Sequence, residues 1–303
     1  MSNPLPRVGF IGIGLMGHGM AKNIATKGFA LTFLKRRSVP DAGADLIALG
    51  ATEIGTAREV AAASDIIILC VTGSPDVESM CFAANGIAES ARAGMMVVDT
   101  STAEPTSTQV LRERFAALAV EFVDAPLART PVEAELGKLN TMVGATDAVF
   151  AQLEPVLKTY CENIFHVGPP GAGHKVKLMN NFIAQAICTA TAEAFAASVK
   201  SGVDPKQLVR VVSAGGVNSG LFQAMAKTLD GDMNGIKFQL DNARKDLRYY
   251  THFTESMPSP MASWIGEAVH QSLVQACAMG LGGGMLAELV TAQERVNGVK
   301  IKP

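Results

Sequence analysis

The sequence predicts a mostly parallel, doubly wound α/β domain followed by an all-helical domain, joined by one long helix. Two observations carry this prediction. Short apolar runs alternate with helical patterns through the first half of the chain, and the strand signal then ends near residue 167. In addition, 303 residues are enough for two separate cores. The predicted domains are residues 1–167 and 168–303.

The strands of the first domain are predicted from runs rich in β-branched residues. These runs are "RVGFIGI", "ALTFLK", "DIIILCV", "MMVVD", "VEFVDAP" and "LNTMVG". Helical patterns lie between them at 17–27, 41–49, 56–63, 105–118 and 146–159. Strands that alternate with helices imply right-handed crossovers, and therefore a largely parallel sheet with helices on both faces.

The second domain begins with one long apolar helix, predicted over 175–200 and closed by Gly202. Further helices are predicted at 205–213, 219–229, 238–255, 260–278 and 285–296. The long helix is apolar on every face, which is expected if one side packs on its own domain and the other on a second subunit. A homodimer or homotetramer is therefore expected.

Composition and charge exclude several classes of protein. The chain is 48% hydrophobic and 18% charged, as in globular proteins, and its net charge of −2 argues against nucleic acid as a partner. Five scattered cysteines with no CxxC pair, and histidines without ligand spacing, indicate neither disulfides nor a metal site. With neither a leader-like N-terminus nor an uninterrupted apolar run of about 18 residues, we expect a cytoplasmic protein without a membrane span.

A glycine loop predicts a dinucleotide site. In "GFIGIGLMGHGMAKNI", Gly12, Gly14 and Gly17 form GxGxxG between a strand and a helix. Gly14 allows the pyrophosphate to approach backbone amides, and the positive end of the helix dipole favours its charge. Leu15 and Met16 belong to the same predicted contact. The alternative, a purely structural turn, is disfavoured by the strand before the loop and the helix after it.

Three cations indicate which nicotinamide cofactor is preferred. At the end of the second predicted strand, where NAD-selective domains carry an acid, this chain has Lys35, Arg36 and Arg37. Their charge would attract a 2′-phosphate. The sequence therefore predicts a preference for NADP(H), with NAD(H) possible. The alternative is a solvated charge run.

A polar face on the long helix predicts the reacting group. Lys177, Asn180 and Asn181 are three and four residues apart and share one face of an otherwise apolar helix. A partly desolvated lysine has a lowered pKa and can donate a proton to a nascent alkoxide, while an amide holds the substrate oxygen. The alternative is that Lys177 extends to solvent and the asparagines bond each other or backbone. His174 is interpreted as structural.

Several segments together resemble the β-hydroxyacid dehydrogenase family, which includes 3-hydroxyisobutyrate dehydrogenase and tartronate semialdehyde reductase. The segments, in family order over nearly the whole chain, are "GFIGIGLMGHGMAKN", "VVDTSTAEP", "DAP" with "ELGKLNTMVG", "GPPGAGHKVKLMNN" and "FQLDNARKDL". The resemblance implies a Rossmann domain, an all-α domain that forms a dimer or tetramer, and reversible hydride transfer between a nicotinamide and a small 3-hydroxy acid or its semialdehyde.

The resemblance also implies roles for individual positions. Lys177 is similar to the family's catalytic lysine and Asn181 to its substrate-holding amide. The other positions are similar to cofactor-binding residues: Ser101 and Thr102 beside the nicotinamide, Val71 and Thr72 of "VTGSP" at the ribose, and Lys245 on the helical domain. Without the resemblance, Lys245 and Asp246 would be interpreted as a solvated ion pair.

One loop departs from the family pattern. Where the family has Ser-Gly-Gly, this chain has Ala128, Arg129 and Thr130 within "DAPLARTP", as in a branch that resembles sulfolactaldehyde reductase. A forked guanidinium and a hydroxyl suit the three oxygens of a sulfonate. The expected substrate is thus a small acidic aldehyde or hydroxy acid whose distal anion, a sulfonate, is held by Arg129 and Thr130.

Other readings of the function stay open on the sequence alone. Arginine also pairs with carboxylate, so 3-hydroxyisobutyrate, tartronate semialdehyde and succinic semialdehyde or 4-hydroxybutyrate remain alternatives. A non-catalytic NADP(H)-binding module would need the glycine loop but not the lysine–asparagine face. An imine-reducing relative would usually lack lysine at the catalytic position. The presence of Lys177 favours the dehydrogenase over both.

Overall fold

The sheet of the first unit carries the predicted topology. In the computed structural model, which describes residues 5–36 and 41–303, nine strands form one sheet in the order β3-β2-β1-β4-β5-β6-β8-β7, and β9 pairs with β8. The strands are β1 Val8–Ile11, β2 Leu31–Leu34, β3 Thr52–Ile54, β4 Ile66–Leu69, β5 Met96–Asp99, β6 Glu121–Asp124, β7 Leu127–Ala128, β8 Leu139–Gly144 and β9 Cys161–Gly168.

Most strand pairs are parallel, as predicted. From β3 to β6 every pair is parallel, β8 runs antiparallel to β6 and β7, and β9 is parallel to β8. The strand order reverses between β1 and β4, and ligands of open α/β sheets bind at the carboxyl ends of the strands at such a reversal. The glycine loop directly follows β1.

Helices cover both faces of this sheet. They are α1 Gly17–Thr26, α2 Ala44–Ala48, α3 Ala57–Ala63, α4 Ser74–Phe82, α5 Pro105–Ala116, α6 Pro131–Glu135 and α7 Asp147–Tyr160. Alternate residues of β4 enter different cores: Ile66 and Ile68 pack with Met20 of α1, whereas Ile67 and Leu69 pack with Val60 of α3. Because both faces are buried, β4 is a continuous apolar run rather than an alternating one.

Among the described residues of the first unit, six elements were not predicted. They are β3, β7, β9, α4, α6 and a 3-10 helix at Ile87–Ser90. β3 and β7 have only three and two residues, too few for a periodic pattern. α4 and α6 begin at "SP" and "TP", sequences that also mark turns. β9, "CENIFHVG", alternates weakly because one polar pair interrupts it.

The second unit is all-helical in its described residues, which confirms the predicted all-α domain. By compactness the chain divides after Lys177, within the long helix. The helices are α8 Ala172–Lys200, α9 Pro205–Ser213, α10 Gly220–Ala226, α11 Leu240–Glu255, α12 Trp264–Ala276 and α13 Glu288–Asn297. Leu178, Cys188 and Phe195 of α8 are completely buried in the core of this unit.

Helix α8 is long and apolar enough to cross a membrane by length and composition alone. Its 29 residues have a mean hydropathy of 1.4 over the most apolar window, of which 44% is buried. The same helix carries Lys177, Asn181 and the fully buried Gln185. Lipid-facing segments rarely carry so many polar groups, whereas a core helix of a folded domain can bury them. We therefore interpret α8 as a core helix.

Candidate active site

The loop between β1 and α1 is built around two glycines that no other residue could replace. Gly12 has φ +107°, and a Cβ there would lie 2.2 Å from the carbonyl oxygen of Cys70. A Cβ on Gly17 would lie 2.0 Å from the carbonyl oxygen of Gly12. Both positions therefore set the turn and the approach of α1 to the strands.

Gly14 has a different role in the same loop. Its amide donates to the carbonyl of Gly12 at 2.8 Å, and a Cβ on Gly14 would meet no atom within 4 Å. Packing within the described residues therefore leaves open space beside Gly14, as the predicted approach of a pyrophosphate requires. Leu15 is 82% exposed and Met16 forms the N-cap of α1. This open cradle at a helix N-terminus fits a pyrophosphate.

Two neighbouring loops converge on the same edge of the sheet. The amide of Val71, after β4, donates to Oγ of Ser101, after β5, at 3.0 Å. The amide of Ser101 donates to Oδ1 of Asp99 at 2.9 Å, and this bond holds the loop after β5 to the last residue of that strand. Thr72 is exposed and Thr102 is half-buried in these two loops. The predicted cofactor residues of the glycine loop and of these two loops therefore follow the carboxyl ends of β1, β4 and β5.

The predicted cation cluster is only partly within the described residues. The ammonium of Lys35 lies 3.0 Å from Oε1 of Glu53 on β3, so a carboxylate already pairs with this charge. Arg36 is exposed. Arg37 lies outside the described residues.

Asp124, at the end of β6, holds the start of α8. Its Oδ1 accepts the amide of Gly171 at 2.6 Å and its Oδ2 accepts the amide of His174 at 2.9 Å. Burial raises the pKa of Asp124, and these bonds oppose that rise. A Cβ on Gly173 would lie 2.4 Å from the carbonyl of Met142. The carboxylate therefore fixes the first turn of α8 against the sheet, one turn before Lys177.

His174 is fully buried beside the same carboxylates. Its Nδ1 lies 2.7 Å from Oγ1 of Thr108 on α5, and its Nε2 lies 3.7 Å from Oδ2 of Asp99. These contacts of Asp99 and Asp124 with the start of α8 were not predicted from the sequence. Both end buried strands and are register partners in β5 and β6, a signal that only the strand pairing makes visible.

The polar residues of α8 differ in their surroundings. Lys177 is half-buried, one helical turn before Asn181, and Asn180 is exposed. Asn181 is only 7% exposed, and its Nδ2 donates to Oδ2 of Asp246 on α11 at 2.7 Å. The Asn181 Oδ1 lies 3.3 Å from Nδ2 of Asn180. The bond to a carboxylate settles which way the Asn181 amide points.

Lys245 pairs with the same buried carboxylate. Its Nζ lies 2.8 Å from Oδ1 of Asp246, and it also lies 4.8 Å from the ring centre of Tyr249. Asp246 is 2% exposed, so this ion pair is buried rather than solvated. The pairing of Lys245 with Asp246 was considered from the sequence, but the bond of Asp246 to Asn181 was not predicted. A carboxylate that binds both an amide and an ammonium fixes both side chains.

Arg129 follows β7 in a backbone conformation that favours glycine. Its φ is +82°, at the position where the family pattern has glycine. Its Nη1 donates to the carbonyl of Lys138 and to Oε2 of Glu162, each at 2.5 Å. Its side chain is 31% exposed. Ala128 precedes it in β7 and pairs with Asn140 of β8.

Thr130 caps the short helix α6. Its hydroxyl donates to Oε2 of Glu133 at 2.5 Å and accepts from the amide of Val132, and its own amide donates to the same Glu133 oxygen at 3.0 Å. This reciprocal capping box orders the loop that carries Arg129. In this arrangement the hydroxyl proton of Thr130 is used in the hydrogen bond to Glu133.

Known protein families match both parts of the chain. Residues 7–168 match the NAD-binding domain of 6-phosphogluconate dehydrogenase. Residues 171–291 match the NAD-binding domain of NADP-dependent 3-hydroxyisobutyrate dehydrogenase. The chain belongs to the β-hydroxyacid dehydrogenase family. This β-hydroxyacid dehydrogenase binds NAD(P), which confirms the dinucleotide prediction from the glycine loop.

Similarity to individual proteins supports the assignment to this family. The chain is 32% identical to 2-(hydroxymethyl)glutarate dehydrogenase of Eubacterium barkeri, over 97% of each protein. It is 31% identical to 2-hydroxy-3-oxopropionate reductase of Escherichia coli, over 95% of the chain and 97% of that protein. The 3-hydroxyisobutyrate dehydrogenase of Salmonella typhimurium superposes with a TM-score of 0.79 at 26% identity, covering 94% of this chain and 99% of that one. The predicted oxidoreductase is confirmed as a dehydrogenase of hydroxy acids.

Gly14→Ala tests whether this glycine serves the cofactor alone. The new methyl group would project into the open space above the loop, so we expect roughly a tenfold or larger rise in the Kd for NADPH. The melting temperature should stay within about one degree of wild type, because no packed atom is displaced. Gly216→Ala, in a loop with equal free space, is the control. A wild-type Kd for Gly14→Ala would contradict the assignment.

Proposed function

We propose that this protein catalyses reversible hydride transfer between NADP(H) and a small semialdehyde or hydroxy acid that carries a distal anion. One observation carries the proposal. Asn181, which lies one turn after Lys177 on α8, is buried and donates a hydrogen bond to Asp246. A dinucleotide-binding scaffold has no need of an amide fixed so firmly beside a lysine. A substrate oxygen does need one, because it must be held while a proton moves.

Each of the proposed catalytic residues has a separate task. The bound nicotinamide supplies or accepts the hydride. Lys177 donates a proton to the oxygen of the aldehyde on reduction and removes it on oxidation. Asn181 holds the same oxygen in register, and Asp246 orients the Asn181 amide. Lys245 contributes a positive charge that Asp246 keeps in place.

Lys177→Ala should lower kcat by about 10²- to 10⁴-fold, the usual contribution of a general acid. The Kd for NADPH should be unchanged, because Lys177 is proposed to act on the substrate. Steady-state rates and an NADPH binding titration measure the two quantities. Lys175→Ala, two residues earlier on the same helix and exposed, is the control and should keep full activity. Wild-type turnover by Lys177→Ala would remove the assignment.

We propose that Arg129 holds the distal anion of the substrate, and that this anion is a sulfonate. Two features support the role of Arg129. Its positive φ is a conformation that costs about 1–3 kcal/mol and is usually kept for function. Its bonds to Lys138 and Glu162 both use Nη1, so its Nε and Nη2 edge can form two parallel bonds with an oxyanion.

The roles of Thr130 and the choice of anion follow from the same loop. The Thr130 hydroxyl caps α6, so we assign it to ordering the loop rather than to direct donation to the anion. Sulfonate is favoured because three tetrahedral oxygens can meet the guanidinium edge in several orientations. The named relatives act on carboxylates, 2-(hydroxymethyl)glutarate and 2-hydroxy-3-oxopropionate, and a carboxylate is the alternative that the experiment below separates.

Arg129→Ala should raise the KM of the anionic substrate by roughly 10- to 100-fold, which corresponds to the loss of one charge-assisted contact. Sulfolactaldehyde and tartronate semialdehyde are compared as substrates, with Arg58→Ala, an exposed arginine of α3, as the control. A larger loss on sulfolactaldehyde supports a sulfonate site. Equal losses would show a general anion holder, and no loss on either would refute the role of Arg129.

The preference for NADP(H) is also a proposal. Arg36 is the more available cation for a 2′-phosphate, because Lys35 already pairs with Glu53. The absence of an acid at the end of β2 removes the group that would repel this phosphate.

Arg36→Ala should raise the KM for NADPH by about tenfold and leave the KM for NADH unchanged, because only the phosphorylated cofactor loses a charge-assisted contact. Lys27→Ala, an exposed cation after α1, is the control. An equal change for both cofactors would count against a 2′-phosphate contact.

We further propose a homo-oligomer in the cytoplasm. On α8, Ile183 is 58% and Met179 is 42% exposed, and such apolar groups are commonly covered by a second subunit.

A further inference from the structure

His18 lies in the first turn of α1, directly after the glycine loop, and both of its ring nitrogens face carboxylates. Nδ1 is 2.7 Å from Oε1 of Glu135, and Nε2 is 3.0 Å from Oδ1 of Asp45. An ionised carboxylate only accepts hydrogen bonds, whereas a neutral imidazole has a single N–H to donate. Both contacts are therefore satisfied together only by the imidazolium cation.

The two carboxylates belong to elements that follow predicted binding segments. Asp45 lies on α2, the first helix after the segment that carries Lys35 and Arg36. Glu135 is the last residue of α6, which begins directly after Arg129 and Thr130. His18 thus connects the helix that starts at the glycine loop with the helices that follow the two other binding segments.

The contact between α1 and α6 has independent support. A Cβ on Gly19 would lie 2.5 Å from backbone atoms of Ala134 and Glu135, so the two helices touch at the backbone. Nδ2 of Asn23 donates to the carbonyls of Ala134 at 3.0 Å and Glu135 at 3.2 Å. These contacts do not depend on the charge of His18. The bond from His18 to Asp45 is therefore the part of the cluster that loss of the His18 proton would affect most.

We propose that His18 is a positioning residue for NAD(P)(H), which as a cation ties α2 to the glycine loop and thereby makes cofactor affinity depend on pH. The charged groups that face it are Asp45 from α2, Glu135 from α6 and, through Glu135, Lys22 from α1 at 3.4 Å. When the ring is neutral, one nitrogen lone pair faces a carboxylate, and that contact becomes repulsive. The inference rests on NAD(P) binding and not on the identity of the substrate anion.

The direction of the pH effect follows from the surroundings of the ring. Partial burial lowers the pKa of His18, but the hydrogen bonds and charges of Glu135 and Asp45 more than offset this, and the pKa is raised above its ordinary value of 6.5. A raised pKa in the folded protein means that the contribution of the cation is complete below 6.5 and is lost as the pH rises through the raised value. Because the proposal makes the cation the form that favours the bound cofactor, cofactor affinity should fall as the pH rises through this raised pKa.

The experiment is the Kd of NADH between pH 6 and pH 9, measured by the fluorescence of the bound cofactor. NADH is the probe because the 2′-phosphate of NADPH itself titrates near pH 6. In wild type we expect the Kd to rise about three- to tenfold, with a midpoint above the ordinary histidine pKa. His18→Gln should bind more weakly at pH 6 and show no such transition.

Two further variants separate this role from a merely structural one. His18→Arg, a permanent cation with a forked donor, should keep the affinity of wild type at pH 6 and remove the pH dependence. Asp45→Asn, at a half-exposed surface position, removes one carboxylate and should shift the midpoint to lower pH. His166→Gln is the control, because Nε2 of His166 donates to the carbonyl oxygen of Ala145 at 2.7 Å and contacts none of the residues of this cluster. It should reproduce the wild-type curve.

The outcomes are distinct. A pH-independent Kd in His18→Gln and His18→Arg, with the transition kept in His166→Gln, supports the proposal. A transition of wild-type midpoint and amplitude in either His18 variant overturns it. If His18→Gln does not fold, an unshifted midpoint in Asp45→Asn overturns it as well.

Discussion

The carboxylate of Asp124 is the contact on which the proposed active site depends. It stands at the carboxyl end of a buried strand and accepts two backbone amides from the start of α8. Those amides would otherwise be unpaired donors at a helix N-terminus, so the bonds satisfy the helix and fix its starting point together. Because an α-helix is stiff, fixing its first turn also fixes the position of Lys177 one turn later.

Helix α1 is also held firmly in place, and it contacts both the glycine loop and α6. Its first turn is set by the close approach of Gly17 to Gly12, and its second contact is the backbone approach of Gly19 to α6. The loop of Arg129 is ordered from the other side by the capping box of Thr130 and Glu133. The residues proposed to bind the cofactor and the anion are thus held by glycine contacts and caps, which tolerate little displacement.

Sequence reasoning recovered the elements with strong periodicity. Most of the longer helices and the strongly apolar strands were predicted because they combine apolar runs with clear boundaries, and α9 was predicted at its observed bounds. The eight-residue strand β9 was not predicted, because polar residues interrupt its apolar run. Lys177 and Asn181 were proposed as site residues because polar residues interrupt an apolar helix. Asp246 was recognised only as the partner of its neighbour Lys245, and neither the contact of Asp99 with His174 nor the contacts of His18 were predicted. The missed partners lie far away in the chain. Local spacing carries no signal for such contacts.

The sequence by itself determined the class of the fold, the dinucleotide loop and the polar face of α8, because each depends on residues within one or two turns of chain. Only the tertiary structure decided how these groups are held. In the folded chain Arg129 pairs with Glu162, and the Thr130 hydroxyl caps a helix. The buried carboxylate of Asp246 binds both Lys245 and Asn181. His18 lies between two carboxylates. The physical reason is that hydrogen bonds and ion pairs form between groups that only the folded chain brings within 3 Å or so of each other.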